Sequence, residues 1–313
     1  MTKSFKIVFM GTPAFAVPSL EALHHSRHRV IQVVTQPDRP KGRGRKIVPP
    51  PVKVTARDFG LAVVQPEKIK TAIFVDSLSK LAPDLLVVTA YGRILPKKVL
   101  AIPTVGCVNV HASVLPKYRG AAPIQWAIIN GEKETGVTTI MMDVGMDTGD
   151  ILLTAKETIQ PDDTSGTLHD RLATLGGTVL IDTLTRLADE RLEATPQDHS
   201  QATVAPMLKK EDGRIDWNMP AVAIANRIRG MTPWPGAFAF IGNKRLKIFS
   251  ADTVTSHSTD APGTVVEGFA DELRVATGNG TLSVREVQGE SGKRLTIKAF
   301  LFGHPIAPGT VLG

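Results

Sequence analysis

Two hydrophobic periodicities divide this chain. In residues 1–190, short continuous apolar runs alternate with stretches of helical period. The runs at 5–10 (FKIVFM), 29–35 (RVIQVVT), 84–90 (DLLVVTA) and 105–111 (VGCVNVH) predict strands; the central ones read as covered on both faces, as in a parallel sheet. VTTIMM at 137–142 and DILLTAKETI at 150–159 predict two more. Between them, GTPAFAVPSLEALHH (11–25) predicts a helix with Thr12 as N-cap and Pro13 at its first position. A helix–strand pair is expected through 52–64, and further helices near 69–81, 122–131 and 164–188. Strand–helix alternation of this kind predicts an α/β fold with a doubly wound, mostly parallel sheet.

The period changes after residue 190. RLEATPQDHSQATVAP (191–206) has no clear repeat and reads as a linker. Residues 207–313 hold one helical stretch, AVAIANRIRG, and then GAFAFI, RLKIFSADTV, GTVVEGF, LRVATG, TLSVREVQ and RLTIKAF, short strand-like runs punctuated by Gly and Pro. These predict a small antiparallel β-barrel of the OB-like kind. The expected organisation is therefore 1–190, linker 191–206 and 207–313.

Composition narrows the class. The 313 residues are 42% hydrophobic and 21% charged, values ordinary for a globular protein. No apolar run reaches the length of a membrane span, and the start, MTKSF, is not expected to be a targeting peptide. A single cysteine excludes an intrachain disulfide framework or a cysteine-rich metal site, and a reducing cytoplasm is the expected compartment. The net charge of +7 is concentrated in DRPKGRGRKIVPPPVK (38–53), where Arg39, Lys41, Arg43, Arg45, Lys46 and Lys53 face one acid, Asp38. The prolines predict an irregular loop, and its cations suit either a solvated surface or an anionic partner.

Candidate chemistry sits at the end of the run Cys107–His111. Alternation places Asn109 and His111 on one face of a strand end, where open α/β sheets bind ligands. DVGMDTGD (143–150) adds Asp143, Asp147 and Asp150, with Gly145 and Gly149 permitting sharp turns. An amide, an imidazole and a carboxylate brought together suit acyl transfer: the amide donates to an oxyanion, the imidazole donates to it as well or shuttles a proton, and the carboxylate orients the imidazole and helps accept the amine's proton. The same residues also suit a hydrogen-bonded strand-end histidine, a turn-capping Asn and a solvated acidic loop. Thr154 stands where an EF-hand would need Glu. FMGTPAF has too few glycines for a dinucleotide fingerprint, GRG is no Walker motif, and no G-x-S-x-G elbow occurs, so direct transfer between substrates is expected. Cys107 reads as an inert buried thiol, and His24, His25 and His28 as helix-end residues rather than metal ligands.

NVHASVLPKYRGAAPIQWAI followed by DVGMDTGDIL resembles the folate-dependent formyltransferases. FMGTPAFAVPSLEAL, TQPDRPKGRG, VVTAYGRILP and KKEDGRIDW extend the likeness over nearly the whole chain, toward the branch that acts on an aminoacylated initiator tRNA. Val114, where the family usually has Leu, is a small departure. The resemblance implies transfer of the formyl group of 10-formyltetrahydrofolate to the α-amine of tRNA-bound methionine, without a metal. It implies Asn109, His111 and Asp147 as the catalytic trio, and Tyr91, Gly92, Ser113, Val114, Leu115 and Pro116 as folate contacts. It implies Arg39, Lys41, Arg43, Arg45, Lys46, Lys209 and Lys210 as tRNA contacts. The partners expected are initiator tRNA and the folate, with no membrane, for a monomer. The alternative is a relative acting on a small amine, such as a purine precursor or an amino sugar; neither needs a basic loop and a barrel.

Overall fold

The computed structural model describes residues 3–41, 44, 46–254, 258–268 and 271–313. It divides into two compact units: Met1–Pro123 with Glu134–Thr158 and His169–Ala205, and Ile124–Lys133 with Ile159–Leu168 and Pro206–Gly313.

In the first unit, the elements run β1 (Lys6–Gly11), α1 (Val17–His24), β2 (Arg29–Val34), β3 (Arg39–Lys41), β4 (Lys46–Val48), α2 (Pro51–Asp58), β5 (Val63–Val64), α3 (Ala72–Lys80), β6 (Leu85–Thr89), α4 (Lys97–Leu100), β7 (Gly106–His111) and β8 (Arg119–Gly120). Helix α5 (Pro123–Ile129), which apart from Pro123 is counted with the second unit, follows in the chain, then β9 (Glu134–Met141), β10 (Asp150–Thr158), α6 (Ser165–Ala188, its first turn counted with the second unit) and β11 (Val204–Ala205). The main sheet has the order β10-β9-β7-β6-β1-β2-β5. β5, β2, β1, β6 and β7 are parallel, and β9 and β10 continue the sheet antiparallel. This is the predicted mostly parallel sheet. Leu85–Thr89 are wholly buried, which is why that run carries no polar alternation. The strand order reverses at β1 and β6, and there Thr12 Oγ1 donates to Tyr91 O at 3.0 Å.

Three local expectations differ. Thr12 is not the helix cap: Pro13 precedes a 3-10 turn, Ala14–Ala16, and α1 begins at Val17. The Thr12 hydroxyl is bonded to Tyr91 instead. The basic segment is not wholly irregular, because Arg39–Lys41 pair antiparallel with Lys46–Val48, Pro40 standing opposite Ile47. A two-strand ribbon tolerates an edge proline. The segment expected as a linker is packed on the first unit: Thr195 bridges Ile151, and Val204–Ala205 pair parallel with Arg119–Gly120. Aperiodic sequence hid it because its pairing is mostly through backbone, which side-chain period does not report.

The second unit contains α7 (Ala221–Gly230), β12 (Ala237–Ile241), β13 (Lys244–Val254), β14 (Val265–Val266), β15 (Leu273–Ala276), β16 (Thr281–Gln288), β17 (Leu295–Thr296) and α8 (Ile297–Gly303). Its antiparallel sheet runs β12-β13-β16-β15-β14, with β17 on β16. Ile224, Ile228, Ile248, Val275, Leu282, Val284 and Val287 fill its core. Leu312 bridges Ile241 and Val311 bridges Thr264, so the chain end ties together the two edge regions of a half-barrel. RLTIKAF is strand only at Leu295–Thr296; Thr296 then caps α8, its Oγ1 accepting from Ala299 N at 3.4 Å. Ile297 and Phe300, three apart, share the buried face of that helix.

Candidate active site

β7 delivers Asn109 and His111 as alternation predicts. Both are buried, and both side chains reach Asp147. Asn109 Nδ2 donates to Asp147 Oδ1 at 3.3 Å, and His111 Nδ1 lies 3.6 Å from Asp147 Oδ2. The same Oδ2 accepts the Gly120 N–H at 2.9 Å. On its other side, the His111 ring places Nε2 2.9 Å from Tyr118 O. A carbonyl can only accept, so neutral His111 carries its proton on Nε2. The Nδ1 lone pair is thereby turned toward Asp147, free to take a proton and become an imidazolium facing a carboxylate.

Asp147 does not come from a carboxyl edge of the parallel strands. β9 is antiparallel to β7, and its last residue, Met141, stands opposite Val108. The 142–149 loop then turns back to place Asp147 beside Asn109 and His111. The turn requires Asp147 itself to take φ +55°, a left-handed conformation in which Asp is among the better-tolerated residues. At Gly149 the chain passes so close that an added Cβ would lie 1.8 Å from Met141 O. Asp143 is not part of the trio: its Oδ1 caps its own loop, accepting from Gly145 N and Thr148 Oγ1. Asp150 begins β10 opposite Met141.

Beside this trio runs the segment Ser113–Pro116. Its residues have different exposures. Ser113 is fully buried, its Oγ donating to Lys117 O at 2.6 Å, and Leu115 is buried with its N–H on Thr138 Oγ1. Val114 and Pro116 are partly open, and the Leu115–Pro116 bond is cis. Tyr91 is buried, whereas Gly92 is exposed at φ +80°. The Tyr91 and Gly92 carbonyls accept from Gln36 Nε2 at 3.0 and 3.3 Å.

The basic segment is anchored through the same glutamine. Arg39 Nη2 donates to Gln36 Oε1 at 3.0 Å. Lys53 is not an open cation: it is buried and paired with Asp38 at 2.7 Å, and Gln65 donates to the same carboxylate. These bonds hold the Asp38 carboxyl below the usual carboxylate range, the Lys53 hydrogen bond most of all. Arg39 and Lys46 are exposed, as are Lys209 and Lys210 of the second unit. Arg43, Arg45 and the Lys41 side chain lie outside the described residues.

The remaining candidates take structural places. Burial pushes the Cys107 thiol up to about 12, so no thiolate is offered near neutrality. His24 stacks on Phe59, and His28 stacks on Phe5 while its Nδ1 accepts the Phe5 N–H. Burial, helped by Arg27, lowers the His28 pKa. Residues missed from sequence are Gln197, Arg119 and Thr203. Gln197 Nε2 donates to Asp147 O and Gly149 O, Arg119 donates to Gln197 Oε1, and Thr203 Oγ1 accepts the Tyr118 N–H. Only the polar residues scattered through 191–206 hinted at Gln197 and Thr203, and Arg119 stood unremarked in the segment that follows His111. No helix among the described residues is long and apolar enough to cross a membrane, and no group of three or more His, Cys, Asp or Glu among them could hold a metal.

Fold and sequence together define the class, and the chain belongs to the formyl transferase family: residues 5–184 match the formyl transferase domain, and 207–305 match its C-terminal domain. Among individual proteins, it is 54% identical to the methionyl-tRNA formyltransferase of Desulfotalea psychrophila, over 99% of this chain and 96% of that one. It is 51% identical to the protein of the same name from Acetivibrio thermocellus, over 98% and 99%. The fold also resembles an N-formyltransferase from Helicobacter canadensis crystallised with folinic acid and dTDP-3-aminofucose (TM-score 0.67, 20% identity, 91% of this chain and 99% of that one). HypX from Aquifex aeolicus in complex with tetrahydrofolic acid is similar over 96% of this chain and 47% of its own (TM-score 0.61, 17% identity).

Proposed function

We infer that the protein transfers a formyl group from a reduced folate to the α-amine of methionine esterified to tRNA. The observation that carries the substrate is identity of 49–54% to proteins named methionyl-tRNA formyltransferase, over nearly the full length of both chains. Site geometry alone would accept other amines, and a small-amine substrate is the rival reading. The likeness to a sugar-type N-formyltransferase, at 20% identity, carries the fold alone. Within this reading the donor is 10-formyltetrahydrofolate and the acceptor is initiator tRNA.

The trio has three tasks. The acceptor amine attacks as the neutral base, and its reference pKa of about 7.7–8.0 leaves a useful neutral fraction near pH 7. As the new C–N bond forms, negative charge develops on the formyl oxygen. One Asn109 N–H is held by Asp147, and the other is free to donate to that oxygen. The attacking nitrogen becomes cationic and must lose a proton. His111 Nδ1 takes it, and the imidazolium is stabilised by Asp147 Oδ2. The same nitrogen returns the proton to the folate N10 as the C–N10 bond breaks, which regenerates neutral His111. Gly92, Val114 and Pro116 offer the more accessible folate contacts. Tyr91, Ser113 and Leu115 hold that wall in place from within.

Arg39, Lys41, Arg43, Arg45 and Lys46 of the basic segment 38–53, with Lys209 and Lys210, are assigned to the tRNA phosphates and acceptor end. The half-barrel is read as OB-like and as part of the tRNA footprint. A direct test incubates the protein with labelled 10-formyltetrahydrofolate and either methionyl-tRNA or amino-sugar nucleotides. Formyl transfer to methionyl-tRNA is expected; transfer only to the small amine would replace this reading with the rival.

A further inference from the structure

Asp147 is held at two places, and only one of them is its carboxylate. Gln197 Nε2 donates one N–H to Asp147 O at 2.9 Å and the other to Gly149 O at 2.6 Å. Its Oε1 accepts from Arg119 Nε at 3.2 Å and Arg119 Nη2 at 2.7 Å. Arg119 Nη2 also lies 2.9 Å from His199 Nδ1. Gln197 and Arg119 are both more than nine-tenths buried. The residue after Arg119 is Gly120, whose N–H holds Asp147 Oδ2. One short strand therefore grips the aspartate twice: directly through the Gly120 amide, and through Arg119 and Gln197 at the backbone behind it.

This second grip matters because Asp147 sits at φ +55°. A left-handed non-glycine residue persists where its surroundings over-determine it. The two carbonyls bonded by Gln197, those of Asp147 and Gly149, fix the stretch of backbone that immediately follows this dihedral. Rotation there would swing the carboxylate away from His111 Nδ1, now 3.6 Å distant, and from Asn109.

We propose that Gln197, oriented by Arg119, is a positioning residue for formyl transfer: it sets the backbone of Asp147 so that one carboxylate serves Asn109 and His111 together. The proposal rests on the assignment of Asp147 to the chemistry. It makes the segment 191–205 part of the active-site framework rather than a tether.

The test is a double-mutant cycle read by single-turnover formylation of methionyl-tRNA, in which Gln197→Leu, Asp147→Asn and the double variant are compared with the parent protein. Gln197→Leu is expected to lower the transfer rate about 10- to 100-fold, the effect of misplacing a reacting group by about an ångström. Folate binding, measured by titration, is expected to stay within about twofold. In the Asp147→Asn background the same substitution should lower the rate less than about threefold further, because the group it positions is already impaired. Arg119→Lys leaves Gln197 in place but loses the forked donor, and it should show a smaller loss with the same non-additivity. If the losses multiply independently in both pairs, Gln197 and Arg119 serve stability alone and the proposal is overturned. A normal rate for Asp147→Asn alone would instead remove the reading on which the proposal rests. If Gln197→Leu does not fold, the Arg119→Lys cycle decides between the same outcomes.

Discussion

Replacing Asp147 by Asn tests whether a carboxylate, rather than any polar side chain, is needed between Asn109 and His111. Asn has nearly the same shape and tolerates φ +55° at least as well, so the fold should survive. Hydrogen-bond polarity is what fails. Both carboxylate oxygens accept, Oδ1 from Asn109 Nδ2 and Oδ2 from Gly120 N. An amide offers one acceptor and one donor. If its oxygen faces Gly120, its NH2 meets the Asn109 NH2; if flipped, its NH2 meets the Gly120 N–H. Either orientation loses one hydrogen bond to a charged group, about 1.5–3 kcal/mol. The His111 imidazolium also loses a counter-charge 3.6 Å away. That attraction is about 4–5 kcal/mol before desolvation at an effective dielectric near 20. Much of it is offset by solvation of the free imidazolium, since Asp147 keeps 18% of its side-chain surface exposed. A net barrier increase of about 3–4 kcal/mol follows, a kcat lower by about 10²–10³-fold. The assay is formylation of methionyl-tRNA at saturating folate, followed from about pH 6 to pH 9 to span the titration of the acceptor amine. A kcat within about threefold of the parent across that range would refute the reasoning, since it would leave less than about 1 kcal/mol for the charge.

Asn109→Ala removes the oxyanion donor, and kcat should fall about 10²–10³-fold with little change in folate affinity; near-normal turnover in a steady-state assay would exclude Asn109 from that role. Arg43→Leu should impair formylation of methionyl-tRNA while sparing folate binding and transfer to a short methionyl-ester mimic; equal loss with both acceptors would tie Arg43 to the catalytic pocket rather than to tRNA. The lowered His28 pKa makes stability fall on acidification: the unfolded chain takes a proton near pH 6.5, the folded chain only at lower pH, so protonation favours unfolding as pH drops through this window. His28→Gln, which keeps an acceptor for Phe5 N, should flatten the decline of the urea midpoint between about pH 7 and pH 5, and an unchanged slope would place that acid sensitivity elsewhere.

Sequence alone determined the elements whose burial leaves a period. The fully apolar run Leu85–Thr89 had to be a covered strand, and alternation in Cys107–His111 put Asn109 and His111 on one side. The motifs around them were enough to indicate the family, and the second unit's strands were readable up to Leu295–Thr296, where Ile297 and Phe300 turned out to serve a helix face. Contacts across long sequence separations required the tertiary structure. The loop carrying Asp147 leaves a strand antiparallel to β7, so no strand-end rule places it beside His111. The tautomer of His111 follows from Tyr118 O, a backbone atom invisible to side-chain pattern. Lys53 looked like one more cation of the basic segment until Asp38 was found 2.7 Å away. The stretch 191–205 was misleading for a related reason. Its hold on the first unit runs through backbone pairing at Thr195 and Val204–Ala205 and through the polar side chains of Gln197, His199 and Thr203. Hydrophobic periodicity registers apolar faces that bury against a core, and it has no signal for a strap fastened by hydrogen bonds.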